Sequence, residues 1–588
     1  MSGPRQVLLQ RRVPGAVVAR LDDGEMVQLP EAQLPRFVAD VEGAGAGPRW
    51  VWDDTTRWYP QLLAAGVRVQ RCTDLRLVHR VLRRAPGVDQ GLFAGPETTA
   101  WDELQPLSGG GASRAEEAPE GLFDLQPRAL LLDVDAEHDR QQAALAAASP
   151  PGRLRLLTAA ESAGALVAAE MTHAGLPWRA DAHEALLAAE LGPQPPAGQP
   201  PAVLAALLAD ARAALGAPSL NPDSPADLLR ALRRVGLEPP DTRSGTLSQL
   251  AHPAVPLLLE HRRLSRLHAA NGWRWLTEWV RDGRFRPDHL PGGVVSGRWA
   301  AQGGGALSVP AVLRPAVVAD DGWRLVIADV AQLEPRVLAA VSGDVDLARA
   351  AAGGDLYQGL VDSGAVATRA DAKLAVLGAM YGATAGSGGR MVEHLARRYP
   401  RAVEHLELAA AAGERGEVVS TWLGRGSPRP DGSWTQQAPD VPATDQELRE
   451  RRSWGRFTRN FVVQGSAAEW AASWVALLRE ELWRLGDSGP VEQPVERRPH
   501  LVLFLHDEVL VHTPAELADE VAAAVRAAAE RAGRLLYGEF PITFPLDVHV
   551  GRTWADADDD GSCARAPAEV SALTPAAVAR APRRTPPR

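Results

Sequence analysis

Thr368 to Gly382, reading TRADAKLAVLGAMYG, is the stretch that most constrains this chain, because it can form only one kind of element. Thr368 with Asp371 three residues on is a helix-start signal, and Gly382 with Gly386 supplies a stop. Between them Arg369, Lys373, Leu377 and Tyr381 fall at successive i, i+4 positions on one slowly winding face. Lys373 is the only lysine in the protein. A guanidinium, a compact ammonium and a phenol on one stripe suit a grip on a triphosphate beside a base. They equally suit a solvated basic turn running into an apolar packing helix, and the stretch alone leaves both readings open.

A chain of 588 residues, 45% hydrophobic and 23% charged, has ample core for several domains. Its formal net charge of −10 excludes a wholesale basic coat, so any nucleic-acid contact must come from local arginine-lined surfaces. Cys72 and Cys563 are too few and too far apart for a disulfide framework or a metal-ligand cluster, which suits a reducing compartment. No apolar run approaches the ~20 residues of a membrane span, and MSGPRQVLLQRR has no signal-peptide core. The expectation is a soluble, cytoplasmic monomer.

Along the chain, VLLQ, AVVARL and MVQL read as strands, with Asp23-Gly24 as the hairpin signal between the last two. WYPQLLAAGVRV and DLRLVHRVLRR carry helical periodicity. Residues 96–121 have the composition of a flexible connector. Helical periodicity then dominates from Leu154 to about Gly283. WRLVIADV turns to strand and ends near Asp329; EVVSTWLGRGSPRPDGSW reads as an irregular hairpin. The longest helical region is RRSWGRFTRNFVVQGSAAEWAASWVALLREELWRL. HLVLFLHDEVLVHTP reads as two strands joined by His506-Asp507-Glu508, and PITFPLDVHVG as another strand. The last thirty or so residues have a disordered composition.

Asp329 and Asp507 both stand at strand ends. Two aspartates so placed can hold two divalent ions ~3.5–4 Å apart, one activating a hydroxyl and one steadying a leaving pyrophosphate. Oxygen-only ligation favours Mg²⁺ over zinc, with Mn²⁺ as the alternative. Taken singly, an HDE turn is a common solvated hairpin and a strand-terminal Asp a common cap.

Their order and spelling carry more. DVAQLEPR, RADAKLAVLGAMYG and LHDEV, in that order, resemble the three polymerase motifs of family A DNA polymerases, the group of bacterial DNA polymerase I. Ser296-Gly297-Arg298 is similar to the family's TGR, and Arg456, Asn460 and Gln464 match its helix face that reads primer and template through the minor groove. The resemblance runs from about Glu161 to Asp558.

That resemblance implies an α+β multidomain fold, with an RNase H-like, degenerate 3′→5′ exonuclease domain before a right-hand polymerase of palm, fingers and thumb. The implied layout is exonuclease-like 1–95, linker and remainder of that domain 96–158, thumb 159–290, palm 291–345, fingers 346–455, palm again 456–558 and a tail 559–588. Asp329 and Asp507 become the metal ligands, with Glu508 as a supporting carboxylate. Arg369 and Lys373 become phosphate holders, with Lys373 as general acid to the pyrophosphate. Tyr381 packs at the nascent pair, and Leu377 shapes the sugar pocket. Glu334 becomes the steric gate against a ribose 2′-hydroxyl; Gln332 and Tyr357 border the nucleotide. Arg298, Arg336, Arg456, Asn460, Gln464 and His506 become DNA contacts. Val330, Pro335, Leu377, Tyr357 and the GALSVP stretch depart from the family's usual residues, which bears on affinity and fidelity.

The family's exonuclease needs four acidic residues. Aligning the Ala-Gly turn after WYPQLL puts Trp58 where the second is expected, Asp23-Gly24-Glu25 reads better as a turn than as the first motif, and no Tyr-x₃-Asp occurs. A fold without a working nuclease site is expected, and no 5′-nuclease domain. The reading is a template-directed DNA polymerase acting on primer-template DNA and dNTPs with two Mg²⁺, in repair or gap filling. The rivals are a non-catalytic DNA-binding scaffold on the same fold and a single-subunit RNA polymerase.

Overall fold

The structure is a computed structural model that describes residues 5–13, 15–45, 47–93, 99–102, 132–305, 309–382, 386–430, 444–485 and 495–557. Most of the connector expected at 96–121, the middle of GALSVP and the tail lie outside the described residues.

The chain begins with a five-stranded sheet in the order Met26–Pro30, Ala16–Leu21, Gln6–Val13, Arg49–Trp52, Arg71–Asp74. The first three pair antiparallel; Arg49–Trp52 and Arg71–Asp74 add on in parallel. Alternate residues Val7, Leu9, Val17 and Ala19 are buried with Trp50 and Trp52, as period-two patterning requires. Asp23-Gly24 is indeed a hairpin turn: Gly24 has φ +89°, and the Leu21 amide donates to the Glu25 carbonyl at 2.9 Å. The two parallel strands carry no alternating signal because Trp50, Val51 and Trp52 are all buried, and four residues are too few to show a period.

The acids at these strand ends serve the backbone. Asp54 caps Thr55–Ala64 and pairs with Arg76 at 2.6 Å; Asp74 caps Leu75–Leu82 and also accepts from the Thr55 amide at 2.7 Å. Trp58 is 1% exposed, donates its indole N–H to Asp53 at 2.5 Å, and carries the Arg11 guanidinium over its ring at 3.8 Å.

Two long helices, Pro151–Ala174 and Asp445–Leu485, join this sheet to the rest. The connection is ionic and buried. Arg479 donates to Glu170 at 2.6 and 2.9 Å and to the Gln70 carbonyl at 2.9 Å, while the Tyr59 hydroxyl donates to Glu170 at 2.6 Å.

The second sheet is antiparallel, in the order His500–Leu505, Glu508–Pro514, Trp323–Val330, Leu546–Gly551. Both faces are covered. Val326, Ala328, Val330, Val509 and Val511 pack on the two long helices and on Ala518–Tyr537; Leu325, Ile327, Leu503 and Leu510 pack with Trp178, Trp275, Phe285 and Trp554. A separate helical core spans residues 338–463 and contains the Arg369–Tyr381 helix; a smaller one spans 211–258.

Candidate active site

Sheet register decides which carboxylates meet. Asp329 lies opposite Glu508 on one neighbouring strand and opposite Asp547 on the other, so all three leave the sheet on one face. Leu505 pairs with Glu508, leaving His506 and Asp507 as a two-residue hairpin loop. His506 has φ +55°, a strained conformation usually given to glycine at the first loop position. That turn lets the Asp507 carbonyl accept the Val330 amide at 3.0 Å and tethers Asp507 to the end of the Asp329 strand.

The Asp507 carboxyl is pushed up to about 6 by burial and then by the neighbouring Glu508 charge. Glu508 is buried and accepts the Trp554 indole N–H at 2.9 Å, with Arg314 at 4.0 Å. Arg298 forms an ion pair with Glu334, and the charges of both are felt by Asp507 and by Tyr381. Burial raises the Glu334 carboxyl, against the pull of Arg298. His506 stands exposed at the turn, within reach of the Arg298 charge.

The helix facing this cluster is built as its sequence dictates. Thr368 caps it by accepting the Asp371 amide at 3.1 Å, and it ends at Gly382, whose φ is +77°. Arg369 is exposed, pairs with Asp355 at 2.6 Å, and lies over the Tyr357 ring at 5.6 Å. Lys373 is exposed and makes no hydrogen bond or ion pair to any described residue. Leu377 and Tyr381 are partly buried against the helical core, with the Tyr381 hydroxyl near Gln464. Burial, then the Glu334 charge, pushes the Tyr357 phenol up to about 12.

On the long helix Arg456 is exposed beside Gly382, while the Asn460 side-chain oxygen is buried with no hydrogen-bond partner among the described residues. Gln332, at φ +52°, donates to Asp355 at 3.0 Å and accepts the Leu356 amide at 2.8 Å. It positions the Asp355–Arg369 pair.

One assignment is corrected. Arg336 is not a DNA contact: it is fully buried and donates to the carbonyls of Ala331 and Ala351 at 2.8 Å, of Thr543 at 3.2 Å and of Gly354. Burial lowers its guanidinium to about 10. It ties the Leu333–Ser342 helix to the segment before Leu356–Asp362. Asp355, Asp547 and Arg314 were not singled out from the sequence; their importance comes from register and from a helix cap, which no local motif announces.

The donor set fits divalent cations: carboxylate oxygens from adjoining strand ends, one of them pushed up by its crowded neighbours. Among the described residues no group of three or more His, Cys, Asp and Glu is arranged as a complete ligand set. A hard cation here would complete its shell with water and phosphate oxygens, as Mg²⁺ commonly does.

Comparison with known proteins agrees with this geometry. A structure described as the POL domain of Pol1 from M. smegmatis in complex with DNA primer-template and dNTP superposes with a TM-score of 0.62, covering 92% of this chain and 93% of that one at 20% identity. The thermostable DNA polymerase I of Thermus filiformis is 29% identical over 354 residues, 54% of this chain and 38% of its own length. DNA polymerase I of Deinococcus radiodurans is 24% identical over 334 residues, 52% of this chain and 32% of its own. The aligned stretches thus span about a third of these relatives' own length. The family model for DNA polymerase family A matches residues 202–556, more than half of the chain and the whole of the carboxylate cluster. The protein belongs to DNA polymerase family A.

Proposed function

We propose that this chain is a template-directed DNA polymerase that adds deoxynucleoside monophosphates to a primer 3′-hydroxyl, with Asp329 and Asp507 holding two Mg²⁺ or Mn²⁺ ions. The observation that carries this reading is the tether between the Asp507 turn and the end of the Asp329 strand, beside a helix whose Tyr381 feels the Glu334 and Arg298 charges next to Asp507. When bound, the ions would supply a more acidic 3′-hydroxyl and positive charge at the leaving pyrophosphate.

This chain's own residues do the positioning that phosphoryl transfer relies on. Lys373 is the compact, exposed cation for the phosphates and the proton donor to pyrophosphate. Arg369 exchanges Asp355 for a phosphate oxygen, and Tyr357 supports its guanidinium. Tyr381 and Leu377 pack at the nascent base pair and sugar. Glu334 closes the space a ribose 2′-hydroxyl needs. Arg298 and His506 face the primer end, while Arg456, Asn460 and Gln464 read the minor groove; the unpartnered Asn460 oxygen suits a donor from a base edge.

In this reading residues 159–290 are the thumb, 291–345 and 456–558 the palm and 346–455 the fingers. The N-terminal sheet is an RNase H-like exonuclease domain whose metal position has been filled by Trp58 and Arg11. Repair or gap filling by a monomer is the setting. Primer extension with Mg²⁺ and dNTPs tests it. Asp329→Ala or Asp507→Ala should abolish extension while primer-template binding persists, and the primer should keep its length without dNTPs. Full extension by either variant would refute the site.

A further inference from the structure

We propose that a cleft between the N-terminal sheet domain and the Ser296–Arg298 loop is a second phosphate-binding site, centred on Arg80, that holds the phosphodiester backbone of a nucleic-acid strand. The proposal rests on the polymerase reading and adds to it a role for a domain without nuclease chemistry. The cleft is lined by Leu77, Arg80 and Arg84 of the first domain, by Val294 and Val295 of the loop, and by Arg425 with its partner Glu161. The hairpin carrying Arg425 lies directly on the end of the Leu75–Leu82 helix: a Cβ at Gly426 would overlap the Arg84 carbonyl oxygen.

Charge pairing leaves one guanidinium over. Arg76 is matched by Asp54 at 2.6 Å, Arg83 by Asp102 at 2.5 Å, and Arg425 by Glu161. Arg80 makes no ion pair or hydrogen bond to any described residue, although it is only partly exposed. Burial lowers its basicity first, and the Arg76 charge adds to that; Asp102 and Glu161 pull the other way but are committed to Arg83 and Arg425. A partly desolvated guanidinium with five donors and no acceptor is costly unless an anion arrives.

The mouth of the cleft says which anion. Val294 and Val295 are 42% and 45% exposed, and they precede Ser296 and Arg298 in the loop that reaches the Glu334–Asp507 cluster. Arginine donors beside exposed apolar side chains match a strand, whose phosphates alternate with sugars and bases, better than a free polyphosphate, which has no apolar part. In a chain of net charge −10, such a local site is what a polyanion needs.

The test is equilibrium binding of fluorescent primer-template DNA to the full chain, without nucleotide, at several salt concentrations. Arg80→Gln should weaken binding and reduce the slope of log affinity against log salt by about 0.9, the contribution of one phosphate contact, with the thermal midpoint unchanged. Unchanged affinity and slope in the folded variant would overturn the proposal. Stabilisation of the wild type, but not of Arg80→Gln, by tripolyphosphate with DNA affinity unaltered would make this a small-anion site and overturn the strand reading. If Arg80→Gln does not fold, Arg80→Met, which keeps the apolar stem without the charge, is read by the same criteria. Wild-type protein that binds no primer-template would sink the polymerase reading itself, a result distinct from failure of this cleft alone.

Discussion

Arg298 and Glu334 form an ion pair directly beside Asp507, so two residues expected at opposite ends of the reacting pair, one at the primer terminus and one at the incoming sugar, hold each other. Each must leave the other to take up substrate. Glu334→Ala should therefore free Arg298 and open the sugar pocket together. The expected result is a ratio of dNTP to rNTP kcat/KM lowered about tenfold or more, on the scale of ~1.4 kcal/mol per decade. An unchanged ratio with weaker DNA binding would restrict Glu334 to holding Arg298.

Lys373 is the one compact ammonium on the helix face. Lys373→Ala should lower single-turnover incorporation on the order of 10²-fold or more, as loss of a general acid does. Primer-template affinity should be unaffected. Wild-type incorporation by Lys373→Ala would remove it from the chemistry.

The contact between the N-terminal sheet and the long helix depends on Glu170, which sits between Arg479 and Arg68 and is bonded by Tyr59. Its carboxyl lies below the usual range because these two arginines outweigh burial. Glu170→Ala leaves two buried guanidiniums sharing Glu480 alone and should cost about 3–5 kcal/mol in urea unfolding. Replacing Glu170 without measurable loss would mean that the arginines find other acceptors.

Glu469 links the long helix to the Thr421–Arg425 hairpin, bonding the Thr421 hydroxyl and accepting the Leu423 amide at 2.8 Å. Burial pushes its carboxyl up to about 7. The folded state therefore prefers the protonated form. That contribution is complete below the unfolded value near 4.5 and is lost as pH rises towards 7. In Glu469→Gln the amide oxygen still accepts the Leu423 amide and the amide nitrogen donates to the Thr421 hydroxyl, without the charge, so at pH 8 it should be more stable than wild type by up to about 3 kcal/mol. Equal melting curves for the two proteins from pH 5 to 8 would show that Glu469 does not titrate in this range.

Much of the candidate site was legible locally. The bounds of the Lys373 helix follow from Thr368 and Gly382, and the HDE turn from the two apolar runs around it, because caps and turns are short-range chemistry. Arg336 misled for a physical reason: a motif specifies a side chain, and burial decides whether that side chain faces a ligand or four backbone carbonyls. Strand Arg49–Trp52 escaped notice because its residues, covered on both faces, do not alternate, and Arg71–Asp74 because four residues are too few to show a period.

The sequence by itself determined the elements, their order and the carboxylates at their ends. Only the tertiary structure decided that Asp329 faces Glu508 and Asp547, that Arg369 is held by Asp355, and that Arg80 is left without an ion-pair partner among the described residues. Register and ion pairing join residues tens to hundreds of positions apart, and the energies that select them exist only once the sheets have closed and water has been excluded.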